Sequence, residues 1–106
     1  MGDSFDDKKR EYNLMRESHL IQTGLRKKFR EGERLPDFLW EEAMDMRVFA
    51  TRNPGKGYTG VYFTPERAEK NLVSGEFIDE VKVWELRRSK YWPLACVNLE
   101  RELIID

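Results

Sequence analysis

The chain has 106 residues, which fits one domain spanning 1–106, and its 40% hydrophobic content with three Trp, four Tyr and six Phe is enough for a small core and argues against wholesale disorder. Charged residues reach 37%, above the roughly 25% usual for soluble domains, yet 19 Lys and Arg offset 20 Asp and Glu, so no global field attracts nucleic acid or an anionic membrane. A single Cys, Cys96, and a single His, His19, exclude an internal disulfide and a closed zinc site of four N/S ligands within the chain.

The N-terminal "MGDSFDDKKR" lacks the apolar stretch of a signal peptide, and Asp6 stands where myristoylation of Gly2 needs Ser or Thr. With no apolar run near the ~20 residues of a membrane helix, the expectation is an intracellular, cytoplasmic protein that does not engage membranes. From about Asp6 a helix is expected, with Leu14, Ser18, Ile21, Leu25 and Phe29 on one stripe. Gly24 either sits inside this helix or ends it with Leu25 after the cap, and termination is the preferred reading. His19 reads as a solvated or partly packed imidazole on its flank.

A basic connection, "RKKFREGER" (26–34), precedes "LPDFLWEEAMDMRVFA". There Pro36 suits a first helical turn, Asp37, Glu41 and Glu42 suit the positive end of the helix dipole, and Leu39, Ala43, Met46 and Ala50 recur at helical spacing. This predicts a second helix, although "MRVFAT" (46–51) also reads as a strand running into the next loop.

That loop, "NPGKG", opens a G-x-G-x-x-G spacing formed by Gly55, Gly57 and Gly60. A dinucleotide fingerprint needs a helix directly after the glycines, but here a strand, "TGVYFT" (59–64), follows. The kinase glycine loop does share a hairpin context, yet H-R-D and D-F-G are absent, and Lys56 is followed by Gly57 out of frame for a P-loop. The glycines therefore read as a turn that needs positive φ at Gly55 or Gly57, and no cofactor is expected.

Thr64-Pro65 begins a short helix with Ala68 and Leu72 on one face and Gly75 at its exit. "EVKVWELR" (80–87) and "LACVNL" (94–99) then read as strands joined through "RSKYWP", with Pro93 in the connection and "ELIID" as a possible last strand. The predicted class is α+β: two N-terminal helices, then strand-helix-strand-strand, with the helices against one face of a small, mainly antiparallel sheet. Cys96 reads as a buried small hydrophobe.

Two surfaces carry chemistry. "RRSKYW" (87–92) sets Arg87, Arg88 and Lys90 beside Tyr91 and Trp92 at an expected hairpin end, with Arg52 and Lys56 extending the patch if both loops share one end of the sheet. Such a cluster can anchor a protein partner, since Trp, Tyr and Arg are enriched at hot spots, or it can pair phosphates and stack bases of nucleic acid; alternatively Trp92 packs at the core edge and the cations are solvated. Separately, "GVYFTPERAEK" (60–70), preceded by a helix and "TGLR" (23–26) and followed by "VKVWELR", resembles the segment order of small ADP-ribosyltransferase-related domains. The resemblance implies an enzyme acting on NAD, with Tyr62 matching the motif's aromatic and Glu85 as the candidate acid. The chain departs from the pattern in having no H-G-T near Tyr12 and no glutamate in a recognisable catalytic motif. The leading expectation is a non-catalytic binding protein that regulates or inhibits a larger complex through protein–protein contacts, of phage or mobile-element origin, with nucleic-acid binding through residues 87–92 and 26–30 and transferase activity as the alternatives.

Overall fold

The computed structural model describes residues 16–29 and 33–105. Within them the chain is α+β, with helices packed on a three-stranded antiparallel sheet of order β2-β1-β3. The first helix, α1, covers 16–28 and runs straight through Gly24. The preferred break at Gly24 is thus corrected. A helix tolerates one glycine at about 1 kcal/mol, and docking Leu25 in the core offsets that loss. The expected start near Asp6, and Leu14 of the apolar stripe, lie outside the described residues.

The second expected helix is a shorter and tighter element, a 3-10 helix over Asp37–Ala43 entered from Pro36. Leu39 N–H donates to the Pro36 carbonyl at 3.0 Å, and the threefold repeat of a 3-10 turn puts Asp37, Trp40 and Ala43 on one line, with Trp40 and Ala43 fully buried. The chain then leaves as a strand, so the strand reading of "MRVFAT" applies: β1 is Arg47–Asn53. It turns through residues 54–56 into β2, Gly57–Tyr62.

After β2 the short helix α2, Pro65–Lys70, has the cap expected of it, with Thr64 Oγ1 accepting the Arg67 N–H at 3.2 Å. It contacts all three strands, carrying the chain across the sheet from β2 on one edge to β3, Phe77–Lys82, on the other. Gly75, with φ +88°, forms the turn before β3 rather than the exit of α2. Ala68 and Thr51 are buried outside the main core cluster, so α2 covers one face while the remaining helices cover the other. The expectation of helices on a single face is corrected accordingly.

Two further strand assignments give way to helices. The strand expected at "EVKVWELR" ends at Lys82, and Val83–Arg87 forms α3, with Val83 and Leu86 turned inward. "LACVNL" belongs to α4, Trp92–Leu103, which also takes in the start of "ELIID" and has Pro93 in its first turn. Ala95, Cys96, Leu99 and Leu103 face the core at helical spacing and join Val48, Ala50, Val61 and Val81 from the sheet.

The inner side of α4 also carries two carboxylates. Glu100, 3% exposed, accepts the Arg34 Nε–H at 2.7 Å and the Leu35 N–H at 2.9 Å. Glu102, 8% exposed, takes a bidentate pair from Arg67 of α2 at 2.8 and 3.1 Å. Arg26 Nε–H of α1 donates to the Leu103 carbonyl at 2.7 Å. Buried carboxylates persist only when paired and hydrogen-bonded, and these bonds fasten α1, the 33–36 connection and α2 to the end of α4. No helix among the described residues is long and apolar enough to cross a membrane.

Candidate functional site

Each glycine of the G-x-G-x-x-G spacing has a structural occupation. Gly55 N–H donates to Asn53 Oδ1 at 2.9 Å and Lys56 N–H to the Asn53 carbonyl at 3.1 Å, which closes the turn. Gly57 has φ +87°, the positive φ expected of this loop. Gly60 lies under the ring of Tyr62: a Cβ there would stand 2.7 Å from Tyr62 Oη and 3.1 Å from Thr51 Oγ1. The element after the third glycine is strand, so no helix opens directly after the glycines as a dinucleotide fingerprint requires.

The basic and aromatic residues expected to share one surface are divided among three. The segment joins α3 to α4 and is not a hairpin end. Arg87 reaches back to the 3-10 helix, bonding Glu41 and Asp37, and these anionic partners raise its already high pKa. Trp92 packs edge-on against buried Trp40 with ring centroids 5.8 Å apart, and its Nε1–H donates to Asp37 Oδ1 at 3.1 Å. Arg87 therefore ties the 3-10 helix to the end of α3, and Trp92 ties it to the start of α4.

Tyr91 turns another way, its ring 5.9 Å from that of Tyr58 and its Oη accepting the Asn98 Nδ2–H at 3.2 Å. Tyr58 in turn carries the Arg52 guanidinium 5.2 Å from its ring centroid, and Arg52 also reaches Asp79 at 3.4 Å. An irregularity in the β1–β2 ladder makes this possible. Val61 opposes Ala50 and Tyr58 opposes Arg52, so β2 spends one extra residue there, and without that bulge Tyr58 would point to the opposite face. The hairpin thus meets the α3–α4 connection through Arg52, Tyr58 and Tyr91, while Lys56 lies exposed in the turn. Burial raises the pKa of Tyr58, with Asp79 adding to it, and burial likewise raises that of Tyr91.

Arg88 and Lys90 point to solvent, and Arg88 has a partner in a segment expected to be strand. Its guanidinium lies 5.7 Å from the ring centroid of Trp84, one helical turn earlier on α3. Trp84 is 37% exposed, and its backbone N–H is anchored to the Met44 carbonyl at 3.0 Å. Trp84, Glu85, Arg88 and Ser89 line an open depression of about 340 Å³. The sequence signal available was the i, i+4 spacing of Trp84 and Arg88 together with Val83 and Leu86 at i, i+3, compressed into six residues.

The residues tied to the transferase resemblance are not gathered. Tyr62 lies on β2, folded over Gly60 with its pKa raised by burial and by Glu102, whereas Glu85 lies on α3, which follows β3 on the other side of β1. Cys96 is buried, and desolvation, with Glu100 nearby, pushes its thiol up to about 12. His19 is exposed on α1. Compared with protein-family models, curated proteins and solved structures, the chain matches none.

Proposed function

We propose that the protein is a non-catalytic binding module that acts through protein–protein contacts, as a regulator or inhibitor of a larger complex inside the cell. The observation that carries this reading is the Trp84–Arg88 pair: a part-exposed indole with a guanidinium against its ring, at the rim of an open depression, on a helix whose other face is fixed in the core. Tryptophan and arginine are the side chains that most often dominate binding energy at protein interfaces. A shallow, open depression suits a side chain of a large partner, whereas small-molecule sites enclose most of their ligand's surface. Exposed Lys90, two residues beyond Arg88, is proposed as a rim charge that acts mainly on the association rate. Trp92, the aromatic first expected as the anchor, is assigned a structural role instead.

The test is affinity capture from the native host with quantified retention on wild type, Trp84→Ala, Arg88→Ala and the remote control Lys70→Ala. Trp84→Ala should weaken the captured partner about 30-fold or more, the equivalent of a hot spot of about 2 kcal/mol, with the control unchanged. Equal retention by all folded variants would sink the reading. If the retained species is nucleic acid, affinity should instead fall by orders of magnitude between about 50 and 200 mM salt, and the alternative reading replaces this one.

A further inference from the structure

The sheet has two edge strands, β2 and β3, each paired among the described residues with β1 alone. α4 packs on β2, and β3 is the edge that runs directly into α3 with Trp84 and Arg88. The register fixes which backbone groups of β3 remain available. Val83 N–H donates to the Met46 carbonyl, and the pairing continues through Val48↔Val81, Ala50↔Asp79 and Arg52↔Phe77. Antiparallel ladders alternate, so these odd-numbered residues of β3 exchange hydrogen bonds with β1, and Ile78, Glu80 and Lys82 turn theirs outward. Among the described residues, no hydrogen bond is made by the backbone N–H groups of these three.

The side chains along this edge have a pattern. Ile78, Glu80 and Lys82 share one face. Ile78 is half-buried, Glu80 has one carboxylate oxygen bonded to Arg47 at 3.2 Å, and exposed Lys82 has no ion pair among the described residues. A second copy of the chain is a poor occupant. Two-fold antiparallel pairings centred on residue 78, 79 or 80 oppose Glu76 to Glu80, Asp79 to Asp79 or Glu80 to Glu80, and like charges directly opposite are destabilising. Moving the centre to Val81 runs the pairing into α3, which begins at Val83.

We propose that the outer edge of β3 is a strand-docking site for an extended, antiparallel segment of a partner protein, with an apolar residue opposite Ile78, a cation opposite Glu80 and a carboxylate opposite Lys82. This rests on the protein-binding reading and extends its face. A depression of about 270 Å³, lined by Arg47, Glu80, Val81, Lys82 and Glu85, shares Glu85 with the one beside Trp84. In the antiparallel sense the docked segment enters from the Lys82 end, so the residues preceding its carboxylate reach Trp84 and Arg88. Main-chain hydrogen bonds hold such a strand, and alternate side chains select it.

The experiment titrates isotope-labelled full chain with a synthetic probe, acetyl-Glu-Thr-Lys-Thr-Val-Thr-amide, into the millimolar range and follows amide hydrogen exchange. The expected result is at least about tenfold greater protection at the Ile78, Glu80 and Lys82 amides, absent when the probe's Lys and Val nitrogens are methylated and weaker when its Glu and Lys are exchanged. Glu80→Pro removes an N–H that faces away from β1, so a folded variant keeps the β1–β3 ladder and should lose the probe. If the probe leaves these amides unchanged while Trp84→Ala still abolishes partner capture, the strand site is wrong and the binding-module reading survives; if both fail, both fall. Protection that rises with protein concentration alone, with a dimer in sedimentation, would assign the edge to a second copy and overturn the proposal.

Discussion

Alanine at the three loop glycines should give three different results if their roles are structural. At Gly57 the backbone has φ +87° and an added Cβ would meet nothing within 4 Å, so the cost is conformational alone, about 1–2 kcal/mol for an L-residue in the left-handed region. At Gly60 the obstacle is steric: the added Cβ meets Tyr62 Oη at 2.7 Å and Cε2 at 3.0 Å, and displacing a packed ring falls in the roughly 1–3 kcal/mol range of overpacking. At Gly55 the nearest atom is Asn53 Oδ1 at 3.5 Å, an ordinary contact with no positive φ, so the change should stay within about 0.5 kcal/mol. Urea denaturation with m held constant reads all three. Tyr62→Phe, which removes the atom at 2.7 Å, should recover part of the Gly60→Ala loss and none of the Gly57→Ala loss, a coupling that a double-mutant cycle measures. Neutral results at Gly57 and Gly60, or micromolar binding of ATP or NAD in calorimetric titration of the wild type, would refute this account and restore the nucleotide reading.

Trp92→Ala should cost about 3 kcal/mol of stability in denaturant unfolding, because it removes the contact with Trp40 and the bond to Asp37 together, and Trp84→Ala should cost distinctly less. Glu100→Ala leaves the buried Leu35 N–H without an acceptor and should cost about 2–3 kcal/mol, whereas Glu100→Gln keeps an amide oxygen for that bond and should lose less. Alkaline pH should destabilise the fold. The Cys96 thiol is raised from 9.0 to about 12, and Tyr58, Tyr62 and Tyr91 are raised above 10.0, so the native state retains protons that the unfolded chain releases; stability is full below about pH 9 and falls as pH rises toward about 12. The same burial should leave Cys96 unreactive to iodoacetamide at about pH 8 until denaturant is added; prompt native-state alkylation would contradict it.

The elements that are legible in the sequence are those whose signals are local. Thr64 and Pro65 mark the start of α2 because a cap and a first-turn proline act within four residues, and Asn53 to Gly57 mark a turn for the same reason. α4 is hidden by its carboxylates. Its inward side includes Glu100 and Glu102, whose partners Arg34 and Arg67 lie far away in the chain. Hydropathy therefore breaks off after Leu99 and leaves a six-residue stretch, apolar except for Asn98, that periodicity cannot tell from a buried strand. The 3-10 helix conceals itself differently, since its buried line of Trp40 and Ala43 repeats every three residues and not every 3.6.

The candidate site escapes a linear reading for a geometric reason. "RRSKYW" is contiguous in sequence, and contiguity suggests a shared surface. In a helical or turn conformation successive side chains diverge by roughly 100°, so a six-residue stretch that leaves one helix and enters another points all round. Arg87 goes to the 3-10 helix, Arg88 and Lys90 go to solvent, Tyr91 to the hairpin and Trp92 to the core edge. Only in an extended strand would alternate members share a face, which is why strands assigned to both sides of this segment make the patch look continuous. The pair that does share a face, Trp84 and Arg88, is separated by one helical turn, and it becomes visible only once α3 is known to be helical.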